Sequence, residues 1–263
     1  MSADVQAFAS ALGDITKPLT LGLPRVLAMM TIAQLLPSGV FPAPLRNGIC
    51  IVLLLPLYPV LQAGVADRPD ELIGWIMYVV KEIAIGAAIG WGFALLFWAF
   101  ESVGNLLDIQ TGTATGATFD PLSEQQSAVF AQLLRHFAVT AFISLGGVLA
   151  MVRVLYESFR VWPPQALLPI TMSSAWELTR ASSTQMLSSA MAIALPFIVL
   201  LLLLELGLGL LNRSLPQLNV FMLAMPIKML GALLMLALAV SYLGDLIMQF
   251  VARHQSLAGL GLQ

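Results

Sequence analysis

The sequence predicts an all-α, polytopic membrane protein of about six hydrophobic, partly broken helices, and three observations lead there. The first is composition: 59% of the 263 residues are hydrophobic and 10% are charged, where a soluble domain carries roughly 45–50% and about 25%. A soluble monomer of 28.2 kDa would expose on the order of 11,000 Å². Its 12 basic and 14 acidic side chains would then be spread at about one per 430 Å², leaving apolar patches of the size that marks interaction surfaces. The second observation is a set of charge-free or nearly charge-free runs close to the length of a bilayer crossing. The third is that proline and charge interrupt most of those runs, so lipid alone is a poor partner for them. A formal net charge of −2 and a pI near 5.6 remove the electrostatic case for nucleic acid.

In chain order the runs fall at residues 19–36, 47–66, 73–100, 137–152, 181–211 and 220–244. About 20 helical residues cross a hydrocarbon core of ~30 Å, so 47–66 and 181–204 are long enough without help. Pro24 and Arg25 interrupt the first run, Lys81 and Glu82 lie inside the third, Lys228 divides the sixth, and 137–152 is short. Pro56 and Pro59 in the second, Pro196 in the fifth and Pro226 in the sixth each remove a backbone donor and clash with the preceding turn. Hydrocarbon tolerates that only where neighbouring protein satisfies the freed carbonyls. These helices expect protein neighbours. Cys50, the single cysteine, lies in the apolar run 49–55 and reads as a small buried hydrophobe, with no intrachain disulfide or CxxC metal site open to it.

Asp4 and Asp14 precede the first apolar stretch and no basic n-region does, so a removed secretory signal is not expected. The positive-inside count sets Lys17, Arg25, Arg68, Arg153, Arg160, Arg180 and Arg253 against Arg46, Arg135 and Arg213 and places both termini in the cytoplasm, on the premise of six ordinary spans. With no repeat of fixed period, residues 1–263 read as one helical domain. Two connections are long enough to hold function, 101–135 and 153–180.

In the third run Glu82, Gly86, Gly90 and Ala94 recur every four residues and share one helix stripe, with side chains small enough for two backbones to approach closely. Two readings stand: a helix–helix contact in which a neighbour satisfies Glu82, or a face turned toward another subunit of a complex. Lys81 points about 100° away on a 3.6-residue helix, so it is not expected to be the partner of Glu82. Glu205 and Lys228 are the other deeply placed charges. Each costs about 2.5–3.5 kcal/mol at a membrane centre, which favours mutual pairing or a polar subunit interface; a proton relay needs a series of acidic or His groups that the sequence does not offer.

The most informative stretch is 104–134. Thr111, Gly112, Thr113, Ala114, Thr115, Gly116, Ala117, Thr118 and Phe119 form an uncharged Gly/Thr/Ala-rich segment with no hydrophobic stripe to hold it helical. A helix start follows, with Asp120 a good N-cap and Pro121 suited to the first helical position, and Val129, Phe130, Leu133, Leu134 and Phe137 marking one apolar face. The segment reads either as a plain surface connection or as one that lines or closes a pore, since non-helical backbone at membrane depth is permitted where it lines a cavity. Met222, Met225 and Met229 share a face of the last run and read as adaptable packing. His136 and His254 have no second His or Cys at ligand spacing, so no metal is expected. No nucleophile, phosphate-binding or dinucleotide motif occurs, and neither enzymatic activity nor a cofactor is expected.

Four groups of residues form an ordered set. Lys81, Glu82 and Ile83 are followed by Ile85 and Gly86; a run leads from Gly104 through Asp108, Gln110 and Gly112 to Asp120 and Pro121; and Gly146 and Gly147 precede Glu157, Ser158 and Phe159. Near the carboxyl end Pro216, Gln217, Leu218, Asn219, Val220 and Phe221 are followed by Pro226, Ile227 and Lys228. The set resembles the central pattern and the carboxyl-terminal signature of the SctT/FliR export-apparatus family of bacterial type III secretion systems, over about residues 19–250. FRVWPP and PQLNVFMLAMPIKM look more like the virulence-type SctT branch than the flagellar FliR branch.

The resemblance implies helices arranged as hairpins in a helical hetero-oligomer of the bacterial inner membrane, within the secretion-system basal body. One copy would join several SctR-like and SctS-like subunits to build the entrance gate for unfolded secreted polypeptides, with an SctU-like subunit near the cytoplasmic entrance. It implies that residues 111–119 are a plug within the pore, with Asp108, Gln110, Asp120 and Pro121 anchoring its ends and the Glu82 to Ala94 stripe packing against neighbouring subunits. Residues 112–118 depart from the family in carrying no charged or bulky side chain. The alternatives are a flagellar FliR-type export subunit and, from a different class, a stand-alone secondary transporter using Glu205 and Lys228 at a broken-helix site.

Overall fold

In an apolar environment a chain must satisfy its own backbone, and the helix does so within one segment. The computed structural model describes residues 3–35, 41–63, 72–113, 128–163, 172–214 and 220–260, and no strand occurs among them. The helices are α1 (Ala3–Ala33), α2 (Ala43–Leu54), α3 (Tyr58–Ala63), α4 (Leu72–Thr111), α5 (Val129–Ser144), α6 (Gly147–Val161), α7 (Met172–Ser214) and α8 (Val220–Leu260), with a 3₁₀ turn at Leu55–Leu57 between α2 and α3. Four stretches are long and apolar enough to cross a membrane, Ala43–Gln62, Ile73–Thr111, Ala190–Leu211 and Leu223–Ala252, and α5 with α6 makes a fifth if the pair is taken as one broken span.

Among the described residues the full-length stretches are fewer than the six apolar runs, as expected of runs that are partly broken. The first run is carried by the shorter apolar helix Pro18–Ala33. The fourth, 137–152, is divided at Leu145 and Gly146, where Gly146 takes a φ of +80° that side chains disfavour. Proline breaks less than expected. Pro18 and Pro24 lie inside α1, Pro196 inside α7 and Pro226 inside α8: the ring holds φ near the helical value, so each removes one bond without ending the helix. At Pro56 the α-helical ladder does change. The Leu55 N–H turns to the Val52 carbonyl and the Tyr58 N–H to the Leu55 carbonyl, while the carbonyl of Leu53 accepts the Tyr156 hydroxyl at 3.1 Å.

The two long connections are also shorter than the sequence indicated. The first, 101–135, begins as helix, because α4 continues to Thr111 while burying Val103 and Leu107. The second, 153–180, is helical to Val161 and again from Met172.

Chain contacts group the residues into two compact units, where the sequence reads as one domain. One comprises Met1–Ala94, Gly147–Trp176 and Ala252–Gln263, the other Leu95–Gly146 and Glu177–Val251. In the first, Leu21, Val26 and Met29 of α1 are buried with Leu54, Leu57 and Leu61, Gly22 seating its backbone against Leu54 and Leu61. Cys50 is buried. In the second, α5 buries Phe130, Ala131, Leu134, Ala138 and Phe142, and Phe97 meets Phe142 edge-on at 5.3 Å. The expected apolar face is therefore corrected: Val129 and Leu133 are exposed, because the spacing 130, 134, 138, 142 turns them away from α4. Leu230, Leu234 and Leu238 of α8 are largely exposed, an apolar surface beyond what its own chain covers.

Candidate functional site

Long apolar helices leave few places for charge, and α4 carries two of them. Near its start Glu82 is fully buried, and the residue opposite is Arg25 of α1, also fully buried. Arg25 Nε donates to Glu82 Oε2 at 2.7 Å and Nη2 donates to Oε1 at 3.0 Å, a two-pronged charge-assisted pair. The same guanidinium donates from Nη1 to Ser158 Oγ at 3.1 Å and from Nη2 to the Trp162 carbonyl at 3.0 Å. It also lies over the Phe159 ring, its carbon 4.0 Å from the centroid. One side chain thus joins α1, α4 and α6.

Lys81 Nζ stands 3.0 Å from Glu82 Oε1 and 4.9 Å from the Tyr78 centroid. This corrects the expectation that Lys81 and Glu82 do not pair. Backbone directions diverge by about 100°, but the four-carbon lysine stem bends its head back toward the charge. Of the two readings left open for the small stripe, the geometry shows the helix–helix contact. Gly86 lies against the Arg25 backbone and Gly90 against that of Met29, so closely that a Cβ at either would strike main chain, and Ala94 is fully buried. α1 of the same chain occupies this surface.

At the other end of α4 Asp108 is 2% exposed. Its Oδ1 accepts the Phe130 N–H at 3.1 Å and its Oδ2 the Ala131 N–H at 3.0 Å. These are amides of the first turn of α5, which an α-helix leaves without an internal partner, and the N-cap residue Ala128 makes no side-chain cap. Asp108 supplies it from another helix. The Thr113 hydroxyl is shared between Asp108 Oδ1 at 2.7 Å and the Asp108 carbonyl at 3.1 Å, while Thr111 Oγ1 donates to the Leu107 carbonyl at 2.8 Å. One turn earlier, Gly104 lies flush against the backbone of Phe130 and Ala131, leaving no room for a Cβ. Arg135 and Glu101 add a looser pair at 3.5 Å.

Gln110 follows at the end of α4, and its carbonyl is 3.4 Å from Lys228 Nζ of α8. Lys228 also stands 3.3 Å from Glu205 Oε2 of α7, with side-chain exposures of 14% and 60% respectively. The two deeply placed charges do meet, and the lysine further holds a carbonyl of the last turn of α4, where helix carbonyls lack internal partners.

Thr111, Gly112 and Thr113 are placed at the exit of α4; Ala114, Thr115, Gly116, Ala117, Thr118, Phe119, Asp120 and Pro121 lie outside the described residues, as do Pro216, Gln217 and Asn219. Phe221 and Pro226 fall in α8. Sequence reasoning missed the role of Arg25, read as an interruption of the first run and as a vote for orientation; Arg46, Asp67, Arg68, Asp70, Glu71 and Lys81 lie between it and Glu82, so order along the chain does not single out the partner. It also missed the cap, because the residue that caps α5 lies 22 positions upstream. Among the described residues no group of three or more His, Cys, Asp or Glu is placed to hold a metal.

Residues 17–254, which contain every charge just described, match the family described as bacterial export proteins, family 1. The chain belongs to that family. It is 33% identical to the secretion system apparatus protein SsaT of Salmonella typhimurium over 83% of this chain and 85% of the relative. It is 34% identical to the Yop proteins translocation protein T of Yersinia pestis, over 85% and 87%. The flagellar biosynthetic protein FliR of Escherichia coli is 32% identical over 81% of each chain. These are the SctT/FliR proteins of type III secretion and flagellar export that the ordered motifs resemble. As a member of this export family with four or five long apolar stretches among its described residues, the chain is a multi-pass membrane protein of a protein-export apparatus.

Proposed function

We propose that the chain is a structural, pore-forming subunit of a type III secretion export gate, of the virulence-type SctT branch. It helps form the entrance channel for unfolded secreted polypeptides in the bacterial inner membrane, within the basal body, beside SctR-like, SctS-like and SctU-like subunits. Residues 111–119 close the channel, Asp108, Gln110, Asp120 and Pro121 hold the ends of that segment, and the chain works without catalysis or cofactor. The observation that carries this reading is the family match over 17–254, with secretion-apparatus relatives aligned over more than four-fifths of their length. Two features of the chain support it. Its α8 carries an apolar surface that the other described residues leave open, which lipid or a neighbouring subunit's helix would cover. The uncharged segment leaves α4 from a base fixed by Asp108.

The test is co-expression with the neighbouring export subunits, followed by native mass measurement and small-ion leakage across membranes containing the complex. A stable hetero-oligomer is expected, and deletion of residues 114–117, which retains Thr113, is expected to raise leakage without reducing assembly. Unchanged leakage would remove the plug role; a chain that is stable and transports alone would overturn the subunit reading.

A further inference from the structure

Glu205 is the one charged residue in the run 181–211. It stands about 9 Å short of Leu211, the end of the apolar stretch Ala190–Leu211, at ~1.5 Å of rise per residue. With about 100° between successive residues, it lies on α7 where a covered arc meets an open one. Ala194, Phe197 and Leu201 are buried on one side, and Leu202 and Leu206 are more than half exposed on the other. One turn further on, a Cβ at Gly209 would meet nothing within 4 Å. The carboxylate reaches Lys228 at 3.3 Å through Oε2 and is otherwise open, whereas Lys228 is enclosed and also holds the Gln110 carbonyl. An ionised carboxylate has about four acceptor positions, and Lys228 fills those on one flank. Acyl chains carry no donor for the others, and a charge left bare within an apolar stretch is disfavoured. Leucine at this position would suit lipid better.

We propose that the open flank of Glu205, with Leu202, Leu206 and Gly209, seats an apolar helix of a neighbouring subunit that carries one neutral donor, a hydroxyl or carboxamide, level with Glu205. In apolar surroundings helices associate through small residues that let backbones approach and through polar side chains that bond across the contact. This flank offers an open glycine and an open acceptor together. The donor is neutral because Lys228 already balances the carboxylate, and a second cation would leave an uncompensated charge in the contact. The inference rests on the subunit reading above and adds where a neighbour docks and what its helix must carry.

The experiment co-expresses the full chain with the neighbouring export subunits and reads two quantities, the chain present in the membrane and the fraction of it in the hetero-oligomer by native mass measurement. Glu205→Leu removes the acceptor and suits lipid. It is expected to leave the amount in the membrane at or above the parent's while the assembled fraction falls several-fold. Gly209→Leu, whose new side chain starts in open space, is expected to do the same. Glu205→Gln keeps an accepting oxygen and should retain more than half of the parent's assembly. Normal assembly of either leucine variant would mean a lipid-covered flank and would overturn the docking site while leaving the subunit reading in place. If Glu205→Leu does not accumulate in the membrane, Gly209→Leu alone decides. If Glu205→Gln loses as much assembly as Glu205→Leu, the partner group is a cation and the neutral donor is wrong. A parent chain that forms no hetero-oligomer removes the subunit reading and the docking site together.

Discussion

Glu82 and Asp108 are carboxylates on the same helix, both buried, and they are satisfied by opposite means. Glu82 is met by two cations, Arg25 and Lys81, in a contact whose members come from α1 and α4. Asp108 meets no cation among its described partners; it is held by two backbone amides and a hydroxyl. A charge pair taken out of water must be complete, because either member alone is left uncompensated. A carboxylate among neutral donors loses its bonds one at a time. The first arrangement suits a joint that stays shut, the second one that yields in part.

The comparison is broken most severely at Arg25. Replacing it with Met leaves Glu82 buried with Lys81 alone, and loss of one partner from a buried pair costs about 3–5 kcal/mol. Arg25→Met is therefore expected to abolish accumulation of the complex, read by thermal unfolding in detergent or by yield. The double variant Arg25→Met with Glu82→Leu should recover much of it, since an apolar replacement of a whole pair is often neutral. If the single variant were as stable as the parent, the view of this cluster as a permanent joint would be wrong.

Asp108→Asn comes next. Hydrogen bonds to a charged group are worth about 1.5–3 kcal/mol, so unfolding should shift by that order, less than for Arg25→Met. An equal loss would erase the distinction between the two ends of α4. Glycine gives a third comparison on the same helix. Gly86→Ala and Gly104→Ala drive a methyl into facing backbone, whereas a Cβ at Gly92 meets nothing within 4 Å. Overpacking of this kind costs about 1–3 kcal/mol, while Gly92→Ala should gain slightly from helix propensity. Measured unfolding of the three variants orders them directly.

Much of this was legible in the sequence, at the level where composition and spacing decide. Apolar runs gave the helices, and the four-residue spacing of Glu82, Gly86 and Gly90 gave a close helix contact. What spacing could not give is the partner. The stripe is filled by α1, some 57 residues upstream of Glu82, and no local rule says whether a smooth face meets its own chain or another. The break of the fourth run lies in one positive φ at Gly146, which an apolar pattern does not encode. The pairing of Lys81 with Glu82 depends on a flexible stem rather than on helix phase.

The smallest effects belong to Lys228 and Glu205, and they separate an export subunit from a self-sufficient transporter. Lys228 is mostly enclosed and holds two acceptors, Glu205 and the Gln110 carbonyl. Glu205 is open on its other side, so the pair is only half enclosed by the chain. Lys228→Met loses the donor to the end of α4, so export is expected to fall a few-fold. Glu205→Gln keeps an oxygen for Lys228 to approach and should change export by less than twofold. A transporter that used Glu205 as its ion or substrate carboxylate would show the reverse order. Secretion rates of the two variants, normalised to the amount of protein in the membrane, therefore decide whether this pair is a site of chemistry or a brace for the end of α4.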